Sequence, residues 1–510
     1  MTPAAARPFG WSNPVVRGLA PDPSVIRVGS DYYLATSTFD HMPGIRLWHS
    51  VDLVDWTLLG GAVERPAQYR RDGRAGPIDL FAPTLRHHDG RFWLACTNMA
   101  DGQGNFLLQA TDPGGPWSDA IWLDREGFDP SLFFDEDGTC HYTRRTLDLS
   151  RPGGDLGPIV QAVLDPASGR IGPMRAITPG PHGYCSNDIE GPHLYRIGAY
   201  YYLFAAEGGT WTGHMQTIAR ARTPWGPFVG APHNPVLTHR HRVMHPIQSL
   251  GHADLVEDAA GGWWALCLGT RPAGRHHLLG RETFLVPVTW SEGWPIFGTV
   301  DLAMRAPRSP ATGGLRRPRP ATPWAAGWTM RGQPDPGVAL DGADLLLPYG
   351  APLGADTGAG ALFRPQTEPA QVFDAVVPAP APGSATGIAV LADATHHYAI
   401  RRVATDTGNA LRFTRQVDDL HQTGHVPDPT DGALPMRIEA TPSRYRFLVK
   451  GAEDWVVIGQ ASARLLSAES CDGFTGVRFA LLAEGRVRGP ARFTGITQHG
   501  VAALDPARPA

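Results

Sequence analysis

Apolar and polar positions over roughly the first three hundred residues repeat as one unit: a short alternating run, a tight turn, and a second run rich in aromatic side chains. Val25-Ile26 leads through Gly29-Ser30-Asp31 to Tyr32-Tyr33-Leu34, and Leu132-Phe133 leads through Asp137-Gly138 to Cys140-His141-Tyr142. Leu194-Tyr195 leads through Gly198-Ala199 to Tyr200-Tyr201-Tyr202-Leu203. Two further copies run from Ala82-Pro83-Thr84-Leu85 to Phe92-Trp93-Leu94 and from His252-Ala253-Asp254-Leu255-Val256 to Trp263-Trp264-Ala265-Leu266. The units open at Asp22, Ala82, Asp129, Glu190 and His252. Their spacing of roughly fifty to sixty residues suits one four-stranded blade of a β-propeller, so five copies predict five blades.

The pattern breaks at a stretch rich in Pro, Arg and Gly from Arg305 to Pro323, which reads as a linker. Beyond it, alternating runs such as Gln371 to Val377, Gly387 to Leu391 and Arg444 to Val449 lie between Gly, Pro and Asp turns, the signature of a β-sandwich. The predicted fold class is therefore all-β: a propeller over 11–304, a linker over 305–323 and a sandwich over 324–510. A chain of 510 residues is too long for one ordinary core, which agrees with two domains.

Composition narrows the function classes. Net charge is -4, and 44 of the 45 basic residues are arginine, with no basic run interleaved with aromatics, so no nucleic-acid groove is expected. No stretch reaches membrane-spanning length and the start lacks a leader pattern, so the expectation is a cytoplasmic protein with no membrane partner. Five cysteines without CxxC spacing cannot all pair, and buried free thiols are expected.

Chemistry enters at the heads of the repeats. Asp22-Pro23-Ser24, Asp129-Pro130-Ser131 and Glu190-Gly191-Pro192 put three carboxylates at equivalent positions, and a propeller gathers such positions at the mouth of its central channel. Asp before Pro is common at turns, where the side chain caps its own backbone, so a single such triplet reads as a turn. Three at matched positions read as a site. Crowding and burial raise the proton affinity of at least one member, which gives a protonated acid beside an ionised base. Hydrolysis of a glycosidic bond needs that division. The assignment is Asp22 as general base, Glu190 as general acid, and Asp129 as the group that orients Glu190 and raises its pKa. An inverting enzyme would separate the Asp22 and Glu190 carboxyls by roughly 6.5–9.5 Å.

These residues, with Ala35-Thr36-Ser37-Thr38-Phe39, Ala206-Glu207-Gly208-Gly209-Thr210, Gly251-His252-Ala253-Asp254 and Leu279-Gly280-Arg281-Glu282-Thr283, resemble family 43 of the glycoside hydrolases. That resemblance implies a five-bladed propeller and an inverting, exo-acting β-xylosidase or α-L-arabinofuranosidase, with the same three roles on Asp22, Asp129 and Glu190. It places Arg281 on the nonreducing sugar and His252 at the channel, where family members often hold a calcium ion or water. Ala361 to Arg364, His397-Tyr398 and Phe474 to Val477 are similar to the concanavalin-A-like sandwich of the xylosidase branch, a loop of which helps close the pocket. One departure stands out: Phe81-Ala82-Pro83 replaces the family's usual tryptophan before Ala-Pro, with less area and no indole N–H.

Phe39, Phe81 and Trp211 are the expected sugar platforms, with Thr210 and Arg281 as further substrate contacts. The doublets Tyr32-Tyr33, Tyr201-Tyr202 and Trp263-Trp264 read as packing between sheets, since neighbours on a strand face opposite sides. His239 and His241 read as loop or surface residues. The expected activity is release of β-D-xylose from xylooligosaccharides, with α-L-arabinofuranosidase activity as the alternative and a noncatalytic sugar-binding or protein-binding propeller as the rivals. No cofactor is required beyond the calcium ion that the resemblance allows at His252, and oligomeric state, a homo-oligomer included, is open.

Overall fold

The structure, a computed structural model, describes residues 8–147, 157–178, 183–186, 188–310, 317–355, 358, 360–406, 408–471 and 473–501. Residues 311–316 of the expected linker therefore lie outside the described residues. Among the described residues only Ala468–Cys471 forms an α-helix, and no helix is long and apolar enough to cross a membrane.

Ser24–Val28, Asp31–Thr36, Gly44–Ser50 and Thr57–Val63 form an antiparallel sheet of four strands. Four more sheets follow in chain order, opening on Thr84–His88, Phe128–Phe134, Ile189–Ile197 and Gln248–Glu257. The one that opens on Phe128–Phe134 has five strands and the others four. The first strand of the first sheet touches the first strands of the second and fifth, and Phe128–Phe134 touches Thr84–His88 and Ile189–Ile197. Gln248–Glu257 packs on the second and third strands of the fourth sheet, so the contacts run round a closed ring.

The aromatic doublets hold neighbouring sheets together, as strand alternation requires. Tyr33 packs with Phe92 and Leu94 of the second sheet, while Tyr32 points the other way, into a cluster with Trp264 and Leu266 of the fifth. The ring is latched where its ends meet. Phe9–Ser12 pairs with Ala303–Ala306, which places Arg305 and Ala306 in a strand rather than in a linker. Beside it the Asn13 amide donates to the Leu285 carbonyl at 3.0 Å and accepts from the Leu285 N–H at 2.9 Å.

The C-terminal part is a sandwich of a seven-stranded and a six-stranded sheet. Gln371–Val377 and Arg444–Lys450 belong to the first and Ala385–Leu391 to the second. Between them lies a core in which Phe373 stacks on Phe479, with ring centroids 5.1 Å apart. Burying each such side chain contributes about 1.5–3 kcal/mol. The sandwich is sewn to the ring by strand pairing of Met330–Arg331 with His41–Met42 and by an Arg331 to Asp40 hydrogen bond of 2.8 Å. The cysteines are all free; Cys96, Cys140 and Cys267 are buried as expected, whereas Cys185 is exposed and Cys471 half-buried, because both lie outside the sheets.

Candidate active site

Three heads of the repeats, and the residue after a fourth, have a backbone kink that alternation alone does not reveal. Asp22, Asp129 and His252 have φ of 54°, 54° and 48°, and Gly191 beside Glu190 has φ of 57°. Left-handed backbone is costly for a residue with a Cβ and concentrates at functional sites. Strand pairing slips at the same places, between Phe128 and Ser131, between Glu190 and His193, and between Gly251 and Asp254. Each slip re-aims a side chain. Gly191 is needed for space as well, since a Cβ there would lie 2.8 Å from the His252 ring.

Asp129 and Glu190 both feel the charge of Asp22, and Asp129 also feels that of Glu190. Asp129 is buried, and its carboxyl is pushed well above the usual range by burial, then by the charges of Glu190 and Asp22. The Gly191 N–H donates to it at 2.9 Å, which ties Asp129 to the backbone next to Glu190. Glu190 keeps 18 % of its side chain exposed and accepts a 2.9 Å hydrogen bond from Arg145. Its pKa rises to about 7, chiefly through burial against the pull of Arg145, with Asp188 and Asp22 adding repulsion and Arg281 opposing it. A carboxyl titrating there donates a proton readily at neutral pH. Asp22 is buried and accepts from the Ser37 hydroxyl at 2.6 Å and from Arg281 Nη1 at 3.2 Å, with His252 Nδ1 3.8 Å away.

Aromatic rings wall this pocket. Phe39 lies edge-on to Phe81, with centroids 6.0 Å apart, and Phe81 lies edge-on to Phe128 at 5.8 Å. Phe474, from the sandwich, stacks on Phe39 at 5.7 Å and on Trp211 at 6.4 Å. The Arg281 guanidinium lies 5.0 Å from the Phe474 ring and 5.6 Å from Phe39, and donates to the Thr210 hydroxyl at 2.8 Å. Next to this wall, between ring and sandwich, opens a cavity of about 440 Å³ lined by Phe39, Asp79, Asp393 and Phe474 among others. Beneath the acids the channel is filled. Arg86 pairs with the fully buried Asp254 at 3.1 Å and reaches His193 Nδ1 at 3.1 Å, and Asp254 also accepts from Ser24, from the Val25 N–H and from the Tyr195 hydroxyl.

The residues read from the sequence as substrate contacts, Phe39, Phe81, Thr210, Trp211 and Arg281, are thus joined by one network of contacts to Asp22 and, through Phe128 and Arg145, to Glu190. His239 sits in a loop, with its ring bonded to the Ile247 carbonyl, and His241 is exposed. Four contributors went unread. Arg145 pairs across the strands with Phe128 and carried no motif of its own; Asp188, 2.9 Å from Arg145, precedes Glu190 by two positions. Phe128 carries no motif of its own, Phe474 belongs to the sandwich-like run Phe474 to Val477, and the place of its 43 % exposed ring follows only from the fold. His252 brings one imidazole nitrogen, beside Asp22 and near Arg281, so a calcium ion here would be bound mainly through water.

A ring of sheets that brings three carboxylates together beside an aromatic wall is the architecture of a propeller glycosidase. Residues 11–295 match the profile of the Glycosyl hydrolases family 43, and residues 365–496 match the Beta xylosidase C-terminal Concanavalin A-like domain. The chain belongs to glycosyl hydrolase family 43 and is a glycoside hydrolase. It is 35 % identical over 509 residues to a non-reducing end alpha-L-arabinofuranosidase of Bacteroides ovatus, covering 93 % of this chain and 91 % of that protein. A xylosidase/arabinosidase of Butyrivibrio fibrisolvens is 41 % identical over 294 residues, 56 % of each chain. The solved structure of a Bacteroides ovatus xyloglucan GH43B protein superposes with a TM-score of 0.85 at 33 % identity, over 97 % of this chain and all of the other.

Proposed function

We propose that this propeller has five blades and that the chain is an exo-acting, inverting glycosidase that releases terminal β-D-xylose from xylooligosaccharides. The observation that carries the reading is that Asp129 is hydrogen-bonded to the backbone beside Glu190 and that both lie close enough to Asp22 to feel its charge. In the proposed step a water oxygen attacks the anomeric carbon and gives its proton to Asp22, while the bond to the leaving oxygen breaks and that oxygen takes the Glu190 proton. Asp129 acts through Gly191: the hydrogen bond it accepts from the Gly191 N–H fixes the backbone that aims Glu190. Arg281, anchored by Thr210, presents its guanidinium to the sugar hydroxyls. Exo action is supported by the name of the Bacteroides ovatus relative, a non-reducing end enzyme.

A second reading, α-L-arabinofuranosidase, is favoured by the name of the Bacteroides ovatus relative, whose similarity runs through both the propeller and the sandwich. Parallel assays on p-nitrophenyl β-D-xyloside and α-L-arabinofuranoside test the choice. The first reading expects the larger kcat/KM on the xyloside; a larger value on the arabinofuranoside would replace it with the second.

A further inference from the structure

Away from the acids, the sandwich brings together a carboxylate, an imidazole and a thiol that hydrolysis does not use. One ligand atom each from Asp393, His396 and Cys471 lies within 4.8 Å of the others. We propose that these residues form a binding site for a thiophilic divalent cation, Zn²⁺ by ligand type, with water in the fourth position. Oxygen, nitrogen and sulfur donors in one cluster match zinc chemistry and not that of calcium or magnesium, which take oxygen ligands.

The donors are already oriented. The Asp393 carboxylate is held by the N–H groups of Thr395 and His396, both at 2.8 Å, and by the Thr395 hydroxyl at 2.9 Å. His396 Nδ1 lies 3.1 Å from it. That contact is a hydrogen bond, and a tetrahedral zinc ion with bonds of about 2.0–2.3 Å would displace its proton and widen the pair to about 3.3–3.8 Å. The Cys471 sulfur lies within 4.8 Å of both other donor atoms, so a small inward shift of the three would complete the set, and a bound cation would hold the thiolate.

The location gives the site a consequence. Cys471 stands three positions before Phe474, and the Thr475 hydroxyl donates to the carbonyl of Ala392, the neighbour of Asp393. An ion would thus clamp the root of the loop that carries Phe474 to the same turn that already holds its far side.

Cobalt substitution tests the proposal in the tag-free full chain, using Co²⁺ alone as the probe. The expected result is a sulfur-to-cobalt charge-transfer band that saturates at one equivalent, disappears on adding one equivalent of Zn²⁺, survives Cys185→Ser and is lost in Cys471→Ser. His396→Gln, a second variant, should weaken binding while leaving the thiol in place. Absence of the band in the native protein, or its persistence in Cys471→Ser, would overturn the assignment. The native measurement decides against the site without any variant having to fold.

Discussion

Phe474 of the C-terminal sandwich stacks on Phe39 of the propeller, with centroids 5.7 Å apart and planes 25° apart, so the two domains build one wall of the sugar pocket together. Aromatic pairs of this kind contribute about 0.5–1.5 kcal/mol beyond the area they bury. Phe474→Ala should therefore raise KM for an aryl pentoside by roughly tenfold, about 1.4 kcal/mol. Because the side chain is 43 % exposed, the melting temperature should change little. Steady-state kinetics and calorimetry on the one variant check both halves.

The pH dependence follows from Glu190, whose pKa is raised to about 7. As general acid it works protonated, so kcat should fall as pH rises through about 7. The stability sign follows from the same shift. The folded state binds this proton more tightly than the unfolded chain, so the contribution of Glu190 is present below its unfolded pKa and is lost as pH rises from there to about 7. Glu190→Gln should flatten stability across that interval, by an amount on the order of 1 kcal/mol per pH unit at most. Chemical denaturation at several pH values measures it.

Asp254 is the opposite case. Burial alone would raise its pKa, yet Arg86, His193, Tyr195 and Ser24 outweigh burial and hold it at about 2. Its contribution is present above the unfolded value and is lost only as pH falls through about 2. Asp254→Asn leaves Arg86 uncompensated in the channel, and breaking a buried pair costs about 3–5 kcal/mol. A large drop in melting temperature is expected, with loss of activity following loss of fold.

Stereochemistry separates the roles of Asp22 and Glu190. Proton NMR of a β-xyloside digest should show α-xylose as the first anomer, as single displacement by water requires. β-Xylose first would mean a covalent intermediate and a different role for Asp22.

Much of this protein was legible in its sequence. Tyr32-Tyr33 and Trp263-Trp264 were read as packing because alternate residues face opposite sheets, and they do pack so. The acids were legible because Asp22, Asp129 and Glu190 head matched repeats. Arg145 was hidden because its tie to Glu190 comes from strand pairing with Phe128, a relation no local pattern encodes. Phe474 was seen as sandwich and not as pocket, since its neighbours Phe39 and Trp211 lie far away along the chain. The slipped pairing beside Glu190 also escaped, because a bulge leaves composition unchanged.

The central claim, that Glu190 delivers the proton to the leaving oxygen, is tested most directly by varying the leaving group on Glu190→Gln. The account predicts a loss of several orders of magnitude on a xylobiose-type bond and a much smaller loss on a dinitrophenyl xyloside, whose leaving group needs no proton. Equal losses on both substrates would contradict it.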